Sequence, residues 1–449
     1  MKRLKKTMIL GITLGTLTTN ALFGQLSIDV CQEMARSNFP MVKQFGLIEQ
    51  SMAYTLSNAG RGYLPQLSIS ARSTYQSEVT SLPKSLLDKL NQISGQPVSP
   101  NGAAFQVTVP GRDQHQIVAE INQLIWDGGA IASQKELAIR NSETEKQQLE
   151  VELYALKERV AQLFFGILIL EKQQEQTFDL INELRTNHSK IEAVVKNGVA
   201  KVSCLEEIQA EELKAIQKLA AIKSTIKAYR EMLSAMTNDP SIMKQPLQKP
   251  EYLLGQLITH NDEYPPGSPL INRPELSLFH SQSQAQESQK KIIKTAALPK
   301  LSLFFQGGYG DPGLNMLESG FTGFYIAGAR LVWNLGSLYT QSNALRNLNI
   351  NKSRIQLQQD KFLYNTGLAI SRSNNEIEQL REQLAHDQEI ILLRTNILKS
   401  AESSLANGTI TVSDLLRELN ALNSSKTEQQ IRELQLLMAI YNLNTITNN

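Results

Sequence analysis

Leu124-Ile125-Trp126-Asp127-Gly128-Gly129 and Leu331-Val332-Trp333-Asn334-Leu335-Gly336 are two versions of one signal, 207 positions apart. In each, an apolar run ends at a tryptophan and polar turn residues with a glycine follow. A long stretch without proline then begins. Period-two alternation lies upstream of both, which argues for strands. Leu67, Ile69, Ala71, Ser73 and Tyr75 share one face of the first, with Gln66, Ser68, Ser70, Arg72 and Thr74 opposite. Leu301, Leu303, Phe305 and Tyr309 share one face of the second, with Ser302 and Gln306 opposite. These strands open at Leu64-Pro65 and Leu298-Pro299, 234 positions apart. The first half therefore carries about 27 extra residues between its strands, in the Pro/Gly/Ser/Asn-rich stretch 80–114, which reads as a long loop.

Downstream the chain reads as helix. All 15 prolines lie outside 111–239 and 313–449, and a proline costs about 3 kcal/mol inside a helix. Leu149, Leu153, Leu156, Val160, Leu163, Ile167 and Leu170 alternate spacings of four and three. The phase continues through Ile181, Leu184, Ile191 and Val195, interrupted at Gln174, Thr177 and His188. This is a coiled-coil seam. A helix over 129–195 would be roughly 100 Å long at 1.5 Å per residue. Both runs stop at Asn-Gly, a reversal signal: Asn197-Gly198-Val199-Ala200-Lys201-Val202-Ser203 and Asn407-Gly408-Thr409-Ile410-Thr411-Val412-Ser413. Return helices are expected over 202–236 and 412–443. Leading helices are expected over 27–60 and 274–297. The order of helix, two strands and long helical hairpin thus occurs twice, and a repeat of this size means one structural unit used twice. The expected boundaries are a first repeat over 25–238, a Pro-rich linker over 239–273 and a second repeat over 274–449.

The N-terminus carries an export signal over 1–24. Lys2, Arg3, Lys5 and Lys6 precede a short apolar stretch and small residues. Gln25 stands where a lipoprotein box needs cysteine. No stretch of 18 apolar residues follows, so no membrane-spanning helix is expected and any span is a β-barrel. Hydrophobic residues make up 41% and aromatics 6%, which suits narrow helical seams better than a thick core. Formal net charge is +2, so nucleic acid is not an expected partner.

Four strands per chain cannot close a barrel. Apolar-out, polar-in strands of this length are the mark of outer-membrane barrels, and several chains could close one together. Trp126 and Trp333 then sit at the membrane interface, or each simply packs a strand–helix junction. Enzymatic chemistry finds no support. His115, His188, His260, His280 and His386 show no metal-site spacing. Cys204, near Glu206, Glu207 and Glu211, reads as a seam thiol. The glycine-rich run 307–313 does not open a helix, so it is not a phosphate cradle. Cys31 and Cys204 are too few for a disulfide framework and are expected to lie far apart.

The doubled Leu-Pro openings, the Trp126-Asp127-Gly128-Gly129 junction and the two reversals, in order behind a signal sequence, resemble the TolC-like family of outer-membrane efflux proteins. The resemblance covers residues 26–445. It implies a mainly α chain with a β-barrel portion: a homotrimer, a twelve-stranded barrel in outer-membrane lipid and an α-helical tunnel through the periplasm. It implies no cofactor and no catalysis. The reversal tips, Gly198, Val199, Ala200, Gly408, Thr409 and Ile410, would dock a periplasmic adaptor bound to an inner-membrane RND or ABC transporter. Asp414 matches an acidic position that rings the tunnel entrance in the family. Arg417 stands at the second such position, with Glu418 beside it. Three Asp414 carboxylates on one axis would favour cations; the alternative is a first-turn acid favoured by the helix dipole. Ile410 and Cys204 occupy the positions of the family's ionic latch, so that latch is missing. The competing reading is a periplasmic coiled-coil adaptor or scaffold.

Overall fold

The structure is a computed structural model that describes residues 26–81, 83–94, 111–196, 201–251, 253, 271–317 and 319–448. The signal segment and the first reversal tip, Gly198, Val199 and Ala200, lie outside the described residues. The elements run α1 (Ile28–Asn38), α2 (Gln44–Gly60), β1 (Gln66–Tyr75), α3 (Lys84–Ser94), β2 (Asp113–Trp126), α4 (Ala130–Lys196) and α5 (Ser203–Thr237). Then come α6 (Pro274–Ala296), β3 (Lys300–Asp311), β4 (Thr322–Val332), α7 (Ser337–Ala406) and α8 (Val412–Thr447). α4 has 67 residues and α7 has 70. None of the described helices is long and apolar enough to cross a membrane.

Two expectations need correction. Residues 27–60 are not one helix. Pro40 forbids the preceding turn, so α1 ends at Asn38 and a short 3-10 turn, Pro40–Lys43, leads into α2. The stretch 80–114 is not all loop either, because it contains α3. Its Leu86-Leu87-Leu90-Ile93 spacing is helical.

The chain divides into two compact units. One comprises Met1–Phe39, Leu153–Ile271 and Leu368–Asn449. Here Phe164, Phe165 and Ile167 of α4 are fully buried with Ile28 of α1, Leu233 of α5 and Leu437 of α8. The segment after α5 joins this core: Ile242, Leu247 and Leu253 are buried in it, and Leu26 pairs with Leu247 in a parallel bridge. Arg230 of α5 holds the segment by donating to the carbonyls of Ile242 and Gln245 and pairing with Glu171 at 2.5 Å. A second apolar cluster in this unit gathers Ile181, Leu184 and Ile191 of α4, Ile208 of α5, Leu398 of α7 and Leu415, Leu416 and Leu419 of α8. The seam is interrupted where buried Thr177 turns its hydroxyl to the Gln173 carbonyl. A part-buried Arg432–Asp387 ion pair lies in the same unit.

The other unit comprises Pro40–Glu152 and Asn272–Gly367. It holds one antiparallel sheet of order β1-β2-β3-β4, so among the described residues β1 and β4 are open edges. Its helices are tied in chain order. Glu49 of α2 pairs with Lys146 of α4 at 2.8 Å. Glu136 of α4 pairs with Lys291 of α6 at 2.7 Å. Glu287 of α6 pairs with Lys352 of α7 at 2.7 Å.

Candidate functional site

Register sorts every strand residue of the sheet onto one of two faces, because directly paired residues point the same way. Leu67 pairs with Ile121, which pairs with Phe305, which pairs with Ala327. Extending this row gives Ile69, Ala71, Ile117, Ala119, Leu303, Tyr309, Tyr325, Ala329 and Leu331 on one side. It is a mainly apolar face, with Gln123 opposite Leu303 as a polar member, and among the described residues nothing covers it: Ile69 is 72% exposed and Tyr325 is 73% exposed. The other face carries Gln66, Ser68, Ser70, Arg72, Gln116, Glu120, Asn122, Lys300, Ser302, Gln306 and Arg330. Phe304 and Phe324 also lie there. Their rings cover Gly328 and Gly308, where a Cβ would meet ring carbons at 3.1 and 2.4 Å, so aromatic rings fill the space above strand glycines.

Aromatic residues mark both ends of the apolar face. Trp126 would fall on the polar face by simple alternation. A register shift between Leu124 and Trp126 pairs Trp126 with Leu301 and brings it round to the apolar side. Re-aiming a side chain is what a bulge does. Trp333 follows β4 at the same end, and its indole donates to the Ala297 carbonyl at 3.0 Å. Trp333 thus packs the junction as well as lying half-exposed. At the other end Phe321 stacks on Tyr309 with centroids 5.5 Å apart and on His115 at 6.4 Å. The sequence reading did not anticipate this cluster, because only the β2–β3 register brings His115 beside Tyr309. The two ends are eight residues apart along β3, about 26 Å at roughly 3.3 Å per residue.

The strand-to-helix junctions are built differently despite their similar sequence. Gly128 and Gly129 have φ of 69° and 85°. The buried Asp127 carboxylate accepts from the Gly129 N–H at 2.9 Å and the Ile131 N–H at 2.6 Å, capping α4. At Asn334 the backbone carbonyl accepts from the Ser337 hydroxyl at 2.7 Å instead.

The second reversal closes the hairpin of α7 and α8. Gly408 at φ 69° donates its N–H to Leu405, and Thr409 donates to Ser404, both at 2.9 Å. This pair of bonds is a Schellman motif, which satisfies the last carbonyls of α7. Thr411 then caps α8. Its hydroxyl accepts from the Asp414 N–H at 3.2 Å, and its own N–H donates to the Asp414 carboxylate at 3.0 Å. Ile410 and Cys204 both pack against the second apolar cluster. The Ser413 hydroxyl donates to Glu207 of α5 at 2.8 Å.

The charges after this reversal are compensated within the chain. Asp414 lies 3.3 Å from Arg417. Glu418 lies 3.3 Å from Arg394 and 3.4 Å from Arg417. The Thr411 hydroxyl and backbone N–H, then the Arg417 charge, hold the Asp414 carboxyl below its ordinary value. Cys31 and Cys204 are free thiols. Burial, then the Asp239 charge, pushes the Cys31 thiol up to about 11, which makes it an inert core group. Among the described residues, no three His, Cys, Asp or Glu side chains gather as a metal site would require.

An antiparallel sheet with one exposed, mainly apolar face and two open edges, in a chain with two helices of about 70 residues, is a fold similar to that of solved TolC-family outer-membrane channels. No protein-family model matches the sequence, and no curated protein does. Solved structures do. CusC, described in terms of folding and transmembrane channel formation, is 13% identical with a TM-score of 0.67 over 94% of this chain and 91% of its own. The Campylobacter jejuni CmeC outer membrane channel is 13% identical with a TM-score of 0.61 over 94% of this chain and 85% of its own. The outer membrane protein VceC of Vibrio cholerae is 14% identical with a TM-score of 0.61 over 94% of both chains. At these identities the likeness establishes the fold.

Proposed function

We propose that this chain is the outer-membrane channel of an export apparatus. Three copies join their four-stranded sheets into a twelve-stranded barrel in outer-membrane lipid. Their long helices form a tunnel through the periplasm. The observation that carries this reading is the exposed, mainly apolar face between two open sheet edges. Lipid accepts such a face, but it does not accept unpaired edge N–H and C=O groups, so the edges require other copies. Trp126 and Trp333 then lie at the periplasmic membrane interface, and the His115–Tyr309–Phe321 cluster lies at the outer one.

In this reading the reversals Gly198-Val199-Ala200 and Gly408-Thr409-Ile410 dock a periplasmic adaptor. The adaptor links the channel to an inner-membrane transporter of the RND or ABC kind. Asp414, Arg417 and Glu418 stand at the periplasmic entrance. Residues 1–24 are the export signal, and 25–238 and 274–449 are two repeats joined by 239–273. The chain supplies a passive duct and no catalysis. Membrane fractionation with detergent extraction, mass measurement in detergent and planar-bilayer conductance test it together. Outer-membrane partition, a three-copy mass and stepwise conductance are expected. Release by salt without detergent would favour the adaptor or scaffold reading instead.

A further inference from the structure

The polar face of the sheet carries an unbalanced charge. Across its four strands the basic residues are Arg72, Lys300 and Arg330, and the acid is Glu120 alone. Glu120 is already engaged, 3.4 Å from Arg330. The Arg330 guanidinium also lies over the Phe304 ring at 4.7 Å, which fixes it against the sheet wall. Arg72 and Lys300 remain, both exposed and with no acid of this face beside them. Arg72 sits at the level of Gln116 and Gly310, and Lys300 at the opposite end beside Val332. The excess therefore runs the length of the sheet. The charges at the second reversal do not oppose it, since Asp414 and Glu418 are matched by Arg417 and Arg394.

We infer that the barrel is a passage for anions, with Arg72 and Lys300 as the residues that set its preference and solutes of net negative charge as the favoured cargo class. The inference rests on the duct reading above, which makes the polar face the lumen. Fixed lumen charge concentrates counter-ions and repels co-ions. In a three-copy barrel the excess is tripled.

The test is the reversal potential of the purified full chain in planar bilayers under a KCl gradient. At about 0.01 M the screening length is about 30 Å, so wall charges act across the pore, whereas at about 1 M it is about 3 Å. The expected result is a chloride-side reversal at low salt that collapses at high salt. In the double variant Arg72→Gln, Lys300→Gln the anion-to-cation permeability ratio should fall about two-fold or more. Glu120→Gln should move it the opposite way, which no general loss of structure would do. A potassium-side reversal in the unmodified chain overturns the inference. So does a ratio that neither variant moves. A chain that conducts nothing refutes the duct reading itself, an outcome distinct from a pore of the wrong selectivity.

Discussion

Replacing Phe305 with arginine tests which face of the sheet meets lipid. Phe305 lies four residues from Leu301 and four from Tyr309 on β3, about 13 Å from each end at roughly 3.3 Å per residue. That is the middle of the apolar face. Arginine there costs about 2–4 kcal/mol on a lipid-facing barrel position, against about 0–1 near the interfaces. The substitution also removes the stack of Phe305 on Tyr325, at 6.2 Å and 17°, worth about 0.5–1.5 kcal/mol. The expected loss is about 3–5 kcal/mol per chain, roughly two to four orders of magnitude in the folded ratio. Gln306→Arg, one residue along and on the opposite face, should cost under about 1 kcal/mol. Urea titration of the protein folded into lipid vesicles measures both. Equal costs, or a larger cost for Gln306→Arg, would refute the assignment of faces.

Four more outcomes can be measured by the same means or by circular dichroism in detergent. Gly408→Ala should lose about 1 kcal/mol through its left-handed φ alone, since a Cβ there meets nothing within 4 Å; Gly367→Ala, in open space within α7, should be neutral or stabilising by up to about 1 kcal/mol. Thr411→Ala should cost about 1 kcal/mol by removing the cap of α8. Hydrogen bonds from Lys352 and Lys290 hold Glu287 down at about 2, so its contribution is full above the ordinary carboxylate value of 4.5 and is lost as pH falls through about 2. Glu287→Gln should therefore flatten the acid limb of stability between those values without changing it near neutrality by more than about 1 kcal/mol.

Strand alternation made the apolar face of β1 and β3 legible in the sequence, because a period of two is a local property. The seam of α4 was legible for the same reason: Leu153, Leu156, Val160 and Ile167 recur at a helical period and are buried. What depends on pairing was not legible. Trp126 reaches the apolar face through a one-residue register shift that no single strand announces. The distal aromatic cluster needs β2 beside β3. The lone acid of the polar face emerges only when four strands are laid in register, since Glu120 and Arg330 are 210 positions apart. At the second reversal the Asn-Gly signal was correct in kind. The charge balance around Asp414 was hidden because Arg394 lies a helix away. The break at Pro40 was visible as a residue, but the expected helix over 27–60 was carried straight across it.

The two open edges of the sheet also have a genetic consequence. In the proposed ring every β1 edge is completed by the β4 edge of another molecule, so one faulty edge spoils the seam it shares with a neighbour, and a defective copy that joins through its sound edge leaves the whole ring open. With equal synthesis of sound and edge-defective chains, only about one ring in eight would contain three sound copies. Loss of the gene would thus be recessive, whereas a proline within β4 would be dominant.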